Sequence, residues 1–138
     1  MTTIGVFSAV FDEQGRILLV KRAYGPKNWT TPGGRLEAGE APTEGLIREV
    51  LEESGYQVRP LRLIGIYSKP DRDDLVISME AEIVGRADWQ PDSEISECGF
   101  FERDHLPEPM HKRTLARVYD AFDGKVGVLR EFDRDEQR

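Results

Sequence analysis

The sequence predicts a single α/β domain in which a mixed β-sheet carries two helices. Three observations lead there. The chain opens with near-continuous apolar segments rich in β-branched and aromatic residues. Two later segments place apolar residues at helical spacing between further strand-like runs. No repeat, linker or shift of composition divides the 138 residues, a length that suits one well-buried core.

Taken in order, "TIGVFSAVF" (Thr3–Phe11) and "RILLVKR" (Arg16–Arg22) read as strands buried on both faces, and the turn-forming "DEQG" between them predicts a hairpin. "AYGPKNWTTPGG" (Ala23–Gly34) carries Gly-Pro and Pro-Gly-Gly and reads as a loop. A helix is expected from Pro42, whose missing N–H suits the first helical position, to a stop at Gly55. Ala41 is a poor N-cap for it. "LRLIGIYS" (Leu61–Ser68) is strand-like. "KPDRDD" (Lys69–Asp74) is a polar connection. "LVISMEAEIV" (Leu75–Val84) alternates, with Leu75, Ile77, Met79, Ala81 and Ile83 on one face. "CGFFER" (Cys98–Arg103) reads as a short strand. "MHKRTLARVYDAFDG" (Met110–Gly124) sets Leu115, Val118, Tyr119 and Phe122 at helical spacing before a closing glycine. The domain is expected to span residues 1–130, with a charged, frayed tail over 131–138.

Composition narrows the function. With 38% hydrophobic and 33% charged residues the chain belongs with soluble globular proteins. Its net charge of -7 speaks against an electrostatic grip on nucleic acid or an anionic membrane, though a cation could still bridge it to a phosphorylated ligand. The single cysteine, Cys98, permits no intramolecular disulfide and fits a reducing compartment. No signal peptide or membrane-length apolar run is visible, so a cytoplasmic protein is expected. Its oligomeric state is left open, a homodimer included.

The chemically suggestive stretch is "REVLEESG" (Arg48–Gly55). At about 100° per residue, with Glu49 at zero, Glu53 falls near +40° and Glu52 near -60°. Leu46, Val50, Ile47 and Leu51 fall between about +60° and +200°, a greasy face opposite the acids. Three like charges on one face repel, by roughly 0.2–0.5 kcal/mol per pair. On the helix alone, two readings stay open. One is a solvated acidic face, in which Arg48 pairs with Glu44 or Glu52. The other is a site for a hard divalent cation, which favours oxygen ligands. Gly45 beside the carboxylates, and the glycine-rich loop before the helix, favour the second. Zinc is disfavoured, because Cys98, His105 and His111 stand at no ligand spacing.

Residues 34–56, "GRLEAGEAPTEGLIREVLEESGY", resemble a complete Nudix box. Gly34 is followed after five residues by Glu40, and after seven more by Arg48–Glu49–Val50. One residue later come Glu52–Glu53, then after one more Gly55 and Tyr56. The flanks are also similar to that family: paired strands precede the box, "NWTTPGG" leads into it, and "FFERDHLP" and a helix follow. Gly45 and Leu46 depart from it, standing where the family often has alanines.

The resemblance implies a Nudix-like α/β/α sandwich with a mixed β-sheet. It implies hydrolysis of a nucleoside diphosphate linked to another group, with Mg2+ or Mn2+ as cofactor. Carried over by position, Glu49, Glu52 and Glu53 would face the metal, and the Gly33–Gly34 turn would offer a backbone carbonyl. Arg48 would hold a neighbouring glutamate, and Glu40 would be a structural or outer acid. Glu49, Glu52 and Arg48 are the expected catalytic set, with Glu52 sharing the metal or orienting the attacking water. Glu97 is a candidate further acid. Trp29, Arg35 and Arg22 are candidate substrate contacts, and Lys21, Lys27, Lys69 and Arg72 also flank the expected cleft. The open substrates are nucleoside triphosphates, ADP-ribose and other nucleotide sugars, and dinucleoside polyphosphates. A non-catalytic nucleotide sensor on the same fold is the alternative.

Overall fold

The structure, a computed structural model, describes residues 1–134. Strands β1 (Thr3–Val10), β2 (Ile17–Arg22), β3 (Trp29–Thr30) and β4 (Gly33–Arg35) precede helix α1 (Pro42–Ser54). Then follow β5 (Tyr56–Lys69), β6 (Asp74–Arg86), β7 (Ile95–Phe101), α2 (Lys112–Phe122) and β8 (Val128–Glu131). One sheet has the order β4-β1-β6-β5-β8 and a smaller one the order β3-β2-β7. The larger is mixed: β1 runs parallel to β6 and β5 parallel to β8, while β1–β4 and β5–β6 are antiparallel.

The expected burial of the first two strands on both faces holds, and it explains the layering. Val6 and Val10 of β1 pack with Leu46 and Val50 of α1. Ala9, on the other face of the same strand, packs with Val118 and Ala121 of α2. Leu18 joins the first cluster, and Ile17 and Leu19 the second. The helices therefore cover opposite sides of the strands.

Four local expectations are corrected. β1 and β2 do not form a hairpin ladder; only a single Phe11–Ile17 bridge joins them. The Asp12 carboxylate accepts the Gln14 and Arg16 N–H groups in the turn, and the strands then part into different sheets. The Ala23–Gly34 loop contains β3 and the start of β4. The tail is not frayed where it begins: β8 pairs with β5, the Phe132 N–H bonds the Ser68 carbonyl, and Arg130 holds the buried Asp120 at 2.6 and 2.7 Å. Residues 135–138 of the expected tail lie outside the described residues. Finally, Ile47 and Leu51 of the supposed greasy face are 40% and 38% exposed, so α1 buries a narrower stripe centred on Leu46 and Val50.

Candidate active site

The bounds of α1 follow from its punctuation. Pro42 occupies the first turn, and Gly55 adopts a left-handed conformation (φ 79°) that stops the helix. Ala41 has no side chain to cap with, and Glu44 compensates by accepting the Ala41 N–H at 2.8 Å. This leaves Arg48 to partners other than Glu44.

Arg48 grips Glu40 in a forked pair, Nε to Oε2 at 2.7 Å and Nη2 to Oε1 at 3.0 Å. Its Nη1 reaches Glu49 Oε1 at 2.8 Å and Glu52 Oε2 at 3.4 Å. The guanidinium pulls the Glu40 carboxyl down to about 2. Gly45 is part of the same cradle: a Cβ there would lie 2.6 Å from Leu36 Cδ2 and 2.9 Å from Glu40 Oε1. The absent methyl leaves room for the carboxylate that anchors Arg48.

Facing this network is the turn between β3 and β4. The Gly33 N–H donates to Glu53 Oε1 at 2.9 Å. A Cβ on Gly34 would lie 2.8 Å from the Glu49 carboxyl carbon, and one on Gly33 only 2.3 Å from the Val6 carbonyl oxygen. Only glycines let this backbone approach β1 and the carboxylates so closely. Glu53 is 6% exposed. Burial, and then the neighbouring Glu49, push its carboxyl up to about 8, against the Gly33 hydrogen bond and the positive field of Arg22. Glu52, by contrast, has a side chain 57% exposed.

Beside Gly34 opens a cleft with two lobes. The first, about 420 Å³, is lined by Phe7, Arg22, Tyr24, Gly34, Arg35, Lys69 and Asp74. The second, about 390 Å³, shares Arg35, Lys69 and Asp74 with it and adds Arg72, His111, Arg113, Thr114 and Arg117. On a chain of net charge -7, cations are thus concentrated in a cleft whose wall at Gly34 lies against the Glu49 carboxylate.

The structure gathers Arg22, Arg35, Lys69 and Arg72 along this cleft, but not every candidate. Trp29 is 7% exposed and packs edge-on to Phe101 in the core, so it offers no face to a base. Phe7 and Tyr24, the latter 51% exposed, are the aromatic side chains that line the first lobe. Glu97 is on β7 opposite Lys21, 3.7 Å from its Nζ, with a side chain 60% exposed, and lines neither lobe. Arg113 and Arg117 escaped the sequence reading. Their signal was two arginines four apart, set within the stripe of Thr114, Val118 and Ala121 that α2 buries.

Among the described residues, no three His, Cys, Asp or Glu side chains converge closely enough to enclose a metal ion. The donors nonetheless suit a hard divalent cation. They are all oxygens, and the Glu53 carboxyl is raised by burial and then by the adjoining Glu49, a like-charge contact that a bound cation would relieve. Two carboxylates plus water and substrate oxygens are a usual magnesium environment.

The family model for the NUDIX domain matches residues 1–122, and the chain belongs to that family. A MutT-like protein of Streptomyces ambofaciens is 31% identical over 131 residues, 95% of this chain and 84% of that protein. A Bacillus subtilis protein, provisionally named an 8-oxo-dGTP diphosphatase, is 45% identical over 74 residues; the match covers 54% of this chain and about half, 49%, of that relative's length. Among solved structures, an ADP-ribose pyrophosphatase from Streptococcus suis superimposes with TM-score 0.77 at 26% identity, covering 96% of this chain and 100% of the other. Divalent-metal use is general in the family. No helix among the described residues is long and apolar enough to cross a membrane.

Proposed function

We infer that the protein is a pyrophosphohydrolase that cleaves a phosphoanhydride bond in a nucleoside di- or triphosphate derivative, with Mg2+ or Mn2+ as cofactor. The observation that carries this reading is that buried Glu53 and part-buried Glu49 lie against the Gly33–Gly34 turn, whose Gly34 lines a cationic cleft. Glu49 and Glu53 would hold the ion, with Glu52 and the Gly33 carbonyl as further oxygens. A bound divalent ion neutralises phosphate charge and lowers the pKa of a bound water.

The remaining work falls to the chain. Arg22, Arg35 and Lys69 draw in the anionic phosphates and hold them against Gly34. Arg48 fixes the Glu49 carboxylate in place, and Glu40 fixes Arg48. Glu52, exposed and only loosely held by Arg48, would accept a proton from the attacking water. Tyr24 offers the base a stacking face. The nucleotides named for relatives, 8-oxo-dGTP and ADP-ribose, are the first substrates to try. The domain is taken as residues 1–130, in a soluble cytoplasmic protein.

Release of phosphate or nucleoside monophosphate is measured from a panel of triphosphates, ADP-ribose, nucleotide sugars and dinucleoside polyphosphates, with magnesium and then with chelator. Turnover with magnesium that chelator abolishes supports the reading. Binding without turnover of any compound favours the sensor.

A further inference from the structure

Arg117 is 5% exposed, and no described carboxylate lies within 4.0 Å of its guanidinium. Its neighbours are two threonine hydroxyls, at 3.3 and 3.4 Å, and the ring of Phe7, 4.5 Å from the guanidinium carbon. Its Nε–H is buried with no hydrogen-bond partner. Elsewhere the fold neutralises buried charge: Asp120, on the same helix, is met by Arg130 and by the Tyr67 hydroxyl at 2.7 Å. A buried cation left unanswered is costly, and an incoming anion removes that cost.

The surroundings specify the anion. Arg117 lines the second lobe of the cleft with Arg35, Lys69, Arg72, His111 and Arg113. The one acid in the lining, Asp74, is engaged by Lys69 at 3.0 Å. No aliphatic side chain and no phenyl, phenol or indole ring lines this lobe, so a base has no apolar face to lie on. The first turns of α2 supply four of its walls, and the positive end of the helix dipole adds to the field. A compact, multiply charged tetrahedral group matches such a well, and the shared residues Arg35, Lys69 and Asp74 connect it to the lobe beside Gly34.

We propose that this well is a subsite for a phosphate group beyond the scissile pyrophosphate, with Arg117 as its floor. It deepens the hydrolase reading and rests on it. The protein then favours substrates with a third phosphate, or a phosphate ester on the departing group, over those that end in a neutral sugar.

The test titrates inorganic tripolyphosphate into the metal-free protein in chelator, by calorimetry, for wild type, Arg117→Met and Arg72→Gln. Arg72 is at the exposed rim, so its variant keeps the test decisive if Arg117→Met does not fold. The expected result is a Kd raised at least tenfold by Arg117→Met and at least threefold by Arg72→Gln. The kcat/KM ratio for a nucleoside triphosphate over ADP-ribose should also fall at least tenfold in Arg117→Met, through KM. Unchanged tripolyphosphate affinity in the folded variants, or an unchanged ratio, overturns the subsite. Because binding is read without metal, a wild type that binds tripolyphosphate but hydrolyses nothing would refute the hydrolase reading and leave the anion site standing.

Discussion

Glu53 is where burial and a like-charged neighbour act together on one group. In the metal-free native state its carboxyl keeps its proton up to about pH 8, against an ordinary value of 4.5. Between those values the folded chain binds more protons than the unfolded one, so raising the pH destabilises it. The contribution is fully present below 4.5 and is lost on approaching 8. Glu40 acts in the opposite sense: with its carboxyl held near 2, its stabilisation is present above 4.5 and fades as the pH falls toward 2. Denaturant melts in chelator from pH 5 to 8 should therefore show falling stability in the wild type and a flatter profile in Glu53→Gln. A wild-type profile that rises over that range would contradict the assignment.

At the scale of the element, α1 shows how much a sequence discloses and where it stops. Pro42 and Gly55 gave its ends correctly, because both residues act through backbone geometry that needs no tertiary context. The 100° rotation brought Glu49 and Glu53 to one side, and the structure has them as neighbours. Rotation could not tell which flank of the apolar arc would be covered, so Ile47 and Leu51 were placed inside and lie half outside. Nor could it foresee that Arg48 would turn away from Glu44 toward Glu40, a choice made by the loop folding back. Gly45 shows how tightly that loop is packed. Alanine is favoured over glycine inside a helix by about 1 kcal/mol, but here its Cβ would press on Leu36 and on a carboxylate locked by Arg48. Gly45→Ala should therefore lose up to about 2 kcal/mol in urea unfolding, since overpacking outweighs propensity. A gain near 1 kcal/mol would mean that the pocket around Glu40 is slack.

For the whole molecule, fold class was legible and topology was not. The apolar runs of β1 and β2 announced strands buried on both faces, which already implies a central layer. One partner of β1 is β6, with Thr3 beside Asp74 in register, and nothing local signals a pairing so distant in sequence. β8 was missed because a short, charged strand carries no alternation to read, and it is held through Arg130 and Asp120. The cationic cleft was half legible: Arg22, Arg35, Lys69 and Arg72 cluster around the box, whereas Arg113 and Arg117 reach the cleft only once α2 folds across the sheet. An acidic molecule that concentrates carboxylates at one helix face should gain stability from divalent cations. Magnesium at about 100 times its Kd should contribute roughly 2.7 kcal/mol and raise the Tm by about 5 °C or more. Glu53→Gln should blunt that shift.

If the Glu49–Glu53 pair sustains metal-dependent hydrolysis, removing one of its charges must show in the rate. The initial rate on the best nucleotide of the panel, at saturating magnesium, is measured for wild type and for Glu53→Gln, whose amide oxygen can still accept the Gly33 N–H. Glu53→Gln should lose at least about 100-fold in rate with an unchanged circular dichroism spectrum; a folded variant that turns over at the wild-type rate would rule out a metal-holding role for the pair.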